Sequence, residues 1–251
     1  MAKIIVFANQ KGGVGKTTTA VNLGAYIAEK GKRVLLVDFD PQGNLSTFAG
    51  LEKDCAGIYE TISGLKGIRE VIQETKVPGL YGISSNINLS GAAVELVNEE
   101  NNEQFLKNVL SEIRDEWDYI FIDSPPSLGI LTLNGLVASD FIIIPMQCEY
   151  FALEGLSLLV QTVNTIRKGM NPGLKIGGIV FTMYDSRIKL ANEVVRNVTH
   201  YFKDKVFRTV IPRNVAVAEA PSHCMPINLY RSECLAAAGY KKLAEEVMNR
   251  V

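Results

Sequence analysis

Short, continuous apolar runs alternate with longer segments of helical period from one end of the chain to the other. Residues 4–8 are apolar throughout, as a parallel strand covered on both faces requires. Behind them, residues 17–30 set Ala20, Leu23, Ile27 and Ala28 on one helical face, and Gly31 stands where a C-terminal cap belongs. The same alternation predicts strands over 34–38, 119–123, 141–145, 176–182 and, briefly, 209–211. It predicts helices over 104–116, 131–138, 153–167, 190–202 and 233–250, with Asn171-Pro172-Gly173 as the turn behind the third. Residues 43–79 carry weak periodicity and several glycines, and yield only short helices near 59–62 and 68–73. This order predicts an α/β, doubly wound fold: a mainly parallel sheet with helices on both faces. No internal repeat, low-complexity tract or linker breaks it, so one domain over 1–251 is expected.

Composition narrows the classes. At 47% apolar and 21% charged, the 251 residues can bury a substantial core, which excludes a disordered or fibrous chain. Twenty-six basic against 27 acidic residues leave a formal net charge of −1, so any nucleic-acid contact must come from a local patch. The four cysteines form no C-x-x-C and only two histidines accompany them, which argues against a zinc or iron–sulfur site and against a disulfide framework. Reduced thiols in a cytoplasmic protein are expected. The N-terminal apolar run passes at once into Gly and Lys, as a strand does and a signal peptide does not. No stretch approaches the ~18 apolar residues of a membrane span.

The chemistry begins directly after the first strand, at Lys11-Gly12-Gly13-Val14-Gly15-Lys16-Thr17-Thr18. A strand, a glycine-rich turn and a helix start make the setting of a phosphate-binding loop. Glycines let backbone N–H groups approach phosphate oxygens, and the helix start adds unpaired N–H groups and partial positive charge. Lys16 can reach the β- and γ-phosphates, and the Thr17 hydroxyl can ligate Mg²⁺. Gln10 replaces the first glycine of the common loop pattern, and Lys11 adds a second lysine.

This K-G-G-x-G-K-[ST] form resembles the deviant Walker A motif of the ParA/MinD class of P-loop ATPases. The resemblance implies that Lys11 crosses an ATP-dependent homodimer to touch the partner's nucleotide. It extends to Asp38-Phe39-Asp40-Pro41-Gln42-Gly43-Asn44, where it implies that Asp40 polarises the attacking water and Asp38 supports the Mg²⁺ shell. An apolar strand ending at Asp123 resembles a Walker B element, with Asp123 on Mg²⁺. Pro125-Pro126-Ser127 resembles the switch that senses the γ-phosphate. Gln147-Cys148-Glu149-Tyr150-Phe151-Ala152-Leu153-Glu154-Gly155 resembles a segment near the family's dimer face. Met183 and Pro212-Arg213-Asn214 occupy positions that flank adenine in the family.

The match runs nearly the length of the chain and is nearest to the short chromosomal, Soj-type ParA proteins. It implies ATP and Mg²⁺ as cofactors, slow ATP hydrolysis, non-specific DNA binding by the dimer, release by a ParB-like partner, and a nucleoid-associated location. Arg187, Lys189, Arg196 and Arg213 are the first DNA-binding candidates, with Lys203, Lys205, Arg231, Lys241 and Lys242 behind them. Two usually basic positions depart from the pattern, as Ala216 and Met225. Each lost phosphate contact weakens DNA affinity. A ParA-like positioner of other cargo is therefore an alternative. A MinD-like membrane cycler needs a basic amphipathic C-terminal helix, which two Glu and one Arg in residues 243–251 do not supply. A nitrogenase-type iron protein is excluded by the cysteine spacing. An amidoligase is disfavoured by Asp40-Pro41-Gln42.

Overall fold

The computed structural model describes residues 1–95, 100–150 and 152–251; Phe151, of the 147–155 segment, lies outside them. The chain opens with β1 (Lys3–Phe7), α1 (Lys16–Glu29), β2 (Val34–Asp38), α2 (Asn44–Ala49) and α3 (Ile58–Ile62). A 3-10 turn leads into β3 (Ile72–Glu74), then β4 (Leu80–Ile83), α4 (Asn88–Glu95), α5 (Phe105–Ser111) and β5 (Tyr119–Asp123). The second half runs α6 (Ile130–Ala138), β6 (Phe141–Gln147), α7 (Ala152–Gly169), β7 (Lys175–Thr182), α8 (Lys189–Phe202), α9 (Val215–Glu219), α10 (Ile227–Tyr230) and α11 (Leu235–Arg250).

The strands form one seven-stranded sheet in the order β3-β4-β2-β5-β1-β6-β7. Every pairing is parallel except β3 with β4. Because side chains alternate along a strand, β1 serves two cores at once. Ile4 and Val6 join the layer that contains Leu110, Leu136, Leu159 and Val198. Ile5 and Phe7 join the opposite layer, with Leu23 and Ile27 of α1 and Tyr240 and Leu243 of α11. Helices thus cover both faces, as the alternating pattern predicts. β1 lies between β5 and β6, so the loop at its C-terminal end opens at the carboxyl edge of the sheet, where ligands of open α/β sheets bind.

Three expectations need correction. Residues 209–211 form no strand. Of these residues Ile211 alone meets the edge strand β7, through its N–H on Phe181 O; Phe207 N–H on Ile179 O and two isolated bridges, Ile179 with Val206 and Tyr184 with Pro212, flank them. The expected helix over 104–116 ends at Ser111, and a 3-10 turn, Arg114–Glu116, replaces its last part. The 43–79 region and the residues just beyond it hold more order than their periodicity indicates. They supply α2, β3 and β4, which are only six, three and four residues long. No helix among the described residues is long and apolar enough to cross a membrane.

Candidate phosphate-binding site

The loop after β1 is shaped by two left-handed glycines, Gly13 at φ 72° and Gly15 at φ 86°. A Cβ on Gly13 would meet nothing, and one on Gly15 would meet Thr182 only at 3.7 Å. The requirement for glycine is therefore backbone conformation rather than space. Gly15 is also the N-cap of α1 and offers no side-chain cap, and no acidic residue occupies the first turn. The first N–H groups of a 14-residue helix thus face the loop with their partial positive charge uncompensated.

Lys16 folds back under this loop. Its Nζ donates to Asn9 O at 3.2 Å and to Lys11 O at 3.4 Å, and the side chain is buried. Burial pushes its ammonium below the usual lysine range, against the pull of Asp123 and Asp40. Thr17 Oγ1 donates to Asp123 Oδ2 at 2.6 Å. The other oxygen, Asp123 Oδ1, is buried with no hydrogen-bond partner. Burial, then repulsion from Asp38, holds the Asp123 carboxyl well above the usual carboxylate range, against the Thr17 hydrogen bond and Lys16.

Asp38 and Asp123 are register partners on neighbouring strands, which brings the two carboxylates together. Asp38 Oδ2 accepts from Ser46 N at 2.7 Å and Ser46 Oγ at 2.6 Å, and Oδ1 accepts from Asp40 N at 3.3 Å. Both its oxygens are engaged, so Asp38 ties the start of α2 to the Asp40 turn. Complete burial pushes its pKa up to about 6, with the Ser46 hydrogen bonds opposing. Asp40 is buried too, and its Oδ1 accepts from Gln42 N at 3.0 Å.

Three buried carboxylates thus share one buried ammonium. That deficit of positive charge, with one orphaned carboxylate oxygen beside a threonine hydroxyl, fits a divalent cation. No group of three His, Cys, Asp or Glu among the described residues is placed to hold a metal alone. A Mg²⁺ here would take Thr17 and Asp123 together with oxygens of its own ligand, as phosphate-bound Mg²⁺ does.

Beside the loop lies a cavity of about 320 Å³, walled by Thr18, Met183, Pro212, Arg213, Asn214 and Tyr240. The four positions proposed by resemblance to flank adenine therefore share one cavity with the first turn of α1. Lys11 is half-exposed. Its N–H donates to Asn9 Oδ1 at 3.0 Å, and its Nζ is ion-paired with Glu149 of the same chain. Arg187, Lys189, Arg196 and Arg213 are all exposed. Arg187 holds Asp185 in a two-point hydrogen bond at 2.9 and 2.7 Å, and Arg213 also acts on that carboxylate. Ala216 is buried, its N–H capped by Asn214 Oδ1 at 2.9 Å.

Sequence reasoning assigned no part to three side chains that hold the loop. Asn9 Nδ2 donates to Pro145 O at 2.8 Å, Thr182 Oγ1 to Val14 O at 2.7 Å, and Gln147 Nε2 to Gly13 O at 2.9 Å. Gln147 lies inside a segment that resembles the ParA family and Thr182 directly precedes Met183, and those placements were the available signal.

A family model described as an AAA domain matches residues 2–176. The chromosome-partitioning ATPase Soj of Treponema pallidum is 57% identical over 250 residues, covering 100% of this chain and 98% of the relative. The sporulation initiation inhibitor protein Soj of Bacillus subtilis is 50% identical, covering 98% of each. Among solved structures, cobyrinic acid a,c-diamide synthase of Mycobacterium smegmatis with bound ADP and magnesium superposes with a TM-score of 0.86. It is 34% identical, covering 99% of this chain and 95% of that one.

Proposed function

This chain belongs to the Soj/ParA family of chromosome-partitioning ATPases, and we propose that it works as an ATP-timed DNA-binding dimer built from one domain over residues 1–251. The observation that carries the reading is the Thr17–Asp123 pair at the foot of α1, with its unpartnered carboxylate oxygen, directly beside the cavity of Met183 and Pro212. ATP is the nucleotide and Mg²⁺ its metal. Lys16 and the N–H groups of residues 12–18 take the phosphates, and Met183, Pro212, Arg213 and Asn214 take the base. Thr17 and Asp123 hold the metal, which offsets phosphate charge. Asp40 orients the attacking water, while Asp38 keeps the Asp40 turn and α2 in one piece.

Lys11 lies on the exposed rim, free to reach outward once it leaves Glu149. In the dimer it offsets the partner's triphosphate charge, which makes association depend on ATP. The dimer binds DNA non-specifically through the exposed face that carries Arg187, Lys189, Arg196 and Arg213, which makes it nucleoid-associated. A ParB-like partner stimulates hydrolysis and releases it. The likeness to a diamide synthase is the weaker one, at 34% identity against 57% and 50% for the Soj proteins.

A mobility shift on random-sequence DNA, with ATP, ADP or neither, at two salt concentrations, tests the reading. ATP alone should give a complex that weakens steeply with salt. Lys16→Ala should abolish both ATP binding and the shift. An ATP-loaded protein with no DNA affinity at low salt would refute the partition role, and binding to liposomes instead would favour a membrane cycle.

A further inference from the structure

Gln147 is the last residue of β6, in register with Thr182 of β7. Its Nε2 donates to Gly13 O at 2.9 Å and to Met183 Sδ at 2.9 Å. One amide therefore joins the phosphate loop to the wall of the neighbouring cavity. Met183 is itself held unusually, at φ 50°, in the left-handed region that non-glycine residues seldom enter. Hydrogen bonds on its C-terminal side, from Tyr184 N to Ile211 O at 3.0 Å and from Arg213 N to Tyr184 O at 3.1 Å, keep the backbone there.

The peptide plane gives these contacts their consequence. A trans peptide points its carbonyl and the next residue's N–H in opposite directions. Fixing Gly13 O therefore aims the Val14 N–H, and fixing Val14 O aims the Gly15 N–H. Thr182 performs the second task from a buried position, at 2.7 Å. Gln147 performs the first from a half-buried one, and its other contact is a flexible thioether with open cavity beyond it.

We propose that Gln147 is a positioning residue that couples the base cavity to the phosphate loop: a base seated against Met183 holds the Gln147 amide on Gly13 and so aims the Val14 N–H at the phosphates. The inference rests on the proposed seat of the nucleotide. It makes the base a contributor to phosphate binding, so a phosphate chain without a base forgoes that contribution.

Two variants separate coupling from simple support of the loop. Gln147→Met keeps the length and the packing on Met183 but has no donor. Gln147→Glu keeps the shape and puts a carboxylate against the Gly13 carbonyl. Isothermal titration with Mg²⁺ compares ATP with inorganic tripolyphosphate. ATP affinity should fall about fivefold in Gln147→Met and further in Gln147→Glu, the scale of one lost hydrogen bond. Tripolyphosphate affinity should fall less than twofold. Met183→Ala should show the same selective loss, and the double variant Gln147→Met, Met183→Ala should lose less than the product of the two single effects. Equal losses for both probes, or independent effects in the double variant, would overturn the coupling. A parent protein that binds no ATP would instead overturn the nucleotide's placement, and the coupling with it.

Discussion

In the proposed ATP-dependent dimer Lys11 reaches the partner's nucleotide, and in the single chain its ammonium is paired with Glu149. Glu149→Gln removes that pairing and keeps the shape. The two side chains are 49% and 52% exposed, so solvent screens them and the pair is worth about 0.2–1 kcal/mol. A dimer must release two such pairs, so the variant should gain about 0.4–2 kcal/mol in association. At 1.4 kcal/mol per factor of ten, its dimer dissociation constant should fall about 2- to 30-fold. Sedimentation equilibrium with ATP and Mg²⁺, in an Asp40→Ala background that slows hydrolysis, measures this directly. The gain should shrink in molar salt, where charges on exposed side chains are screened. It should vanish when Lys11→Ala is added, because nothing is then left to release. A Glu149→Gln protein that associates no more tightly at low salt, or gains equally without Lys11, would refute the competition.

Asp40→Ala alone should still bind ATP and dimerise but turn over slowly; a monomer by light scattering under those conditions would count against Asp40's proposed part. Cys224 sits at φ 50°, ψ 46° as the cap of a 3-10 turn, so Cys224→Gly should relieve about 1 kcal/mol of left-handed strain. The sign to look for is a higher urea midpoint at unchanged slope. Buried Asp38, pushed up to about 6, and Asp123, pushed higher than usual, keep protons in the folded state that the unfolded chain has already lost. Nucleotide-free protein should therefore lose stability as pH climbs from about 4 through 6. Asp123→Asn should gain on the parent over that climb in urea titrations, and a gap that stays constant with pH would contradict the burial argument.

The candidate phosphate site was legible because its signals are local. The 3–7 strand, the glycines at 13 and 15 and the 16–29 helix are contiguous, and each obeys its own periodicity. Asp38 and Asp123 stood out as the ends of apolar strands, although only the sheet order reveals them as register partners. Of the helix expected near 68–73 only a 3-10 turn over Ile68–Val71 forms, with Ile72 and Gln73 in β3, and the rest of the stretch to residue 83 escaped notice because Pro78-Gly79 and Gly82 break an already short apolar pattern. A Cβ on Gly82 would meet a terminal methyl of Leu51 at 2.5 Å, so a side chain there needs Leu51 to shift. Residues 209–211 look like a strand but pair only intermittently with β7, since the N–H groups of Arg208 and Thr209 are taken by the Glu246 carboxylate of α11 at 2.8 and 3.1 Å. The Gln147–Gly13 hydrogen bond spans 134 positions, and no local period can announce it. Asp38's full engagement with Ser46 and Asp40 was hidden for a different reason. A carboxylate at a strand end reads the same whether it faces a metal or a helix start.

The final helix, α11, lies in the same layer as α1, and its Tyr240 walls the cavity beside the phosphate loop. During translation the loop and its lysines leave the ribosome long before that wall exists. A chain that stops short of residue 235 carries the entire phosphate loop together with Met183, Pro212, Arg213 and Asn214, but lacks Tyr240, so the cavity is open on that one side. A truncation within α11 should therefore weaken nucleotide affinity while leaving the loop's own hydrogen bonds to Thr182 and Gln147 in place.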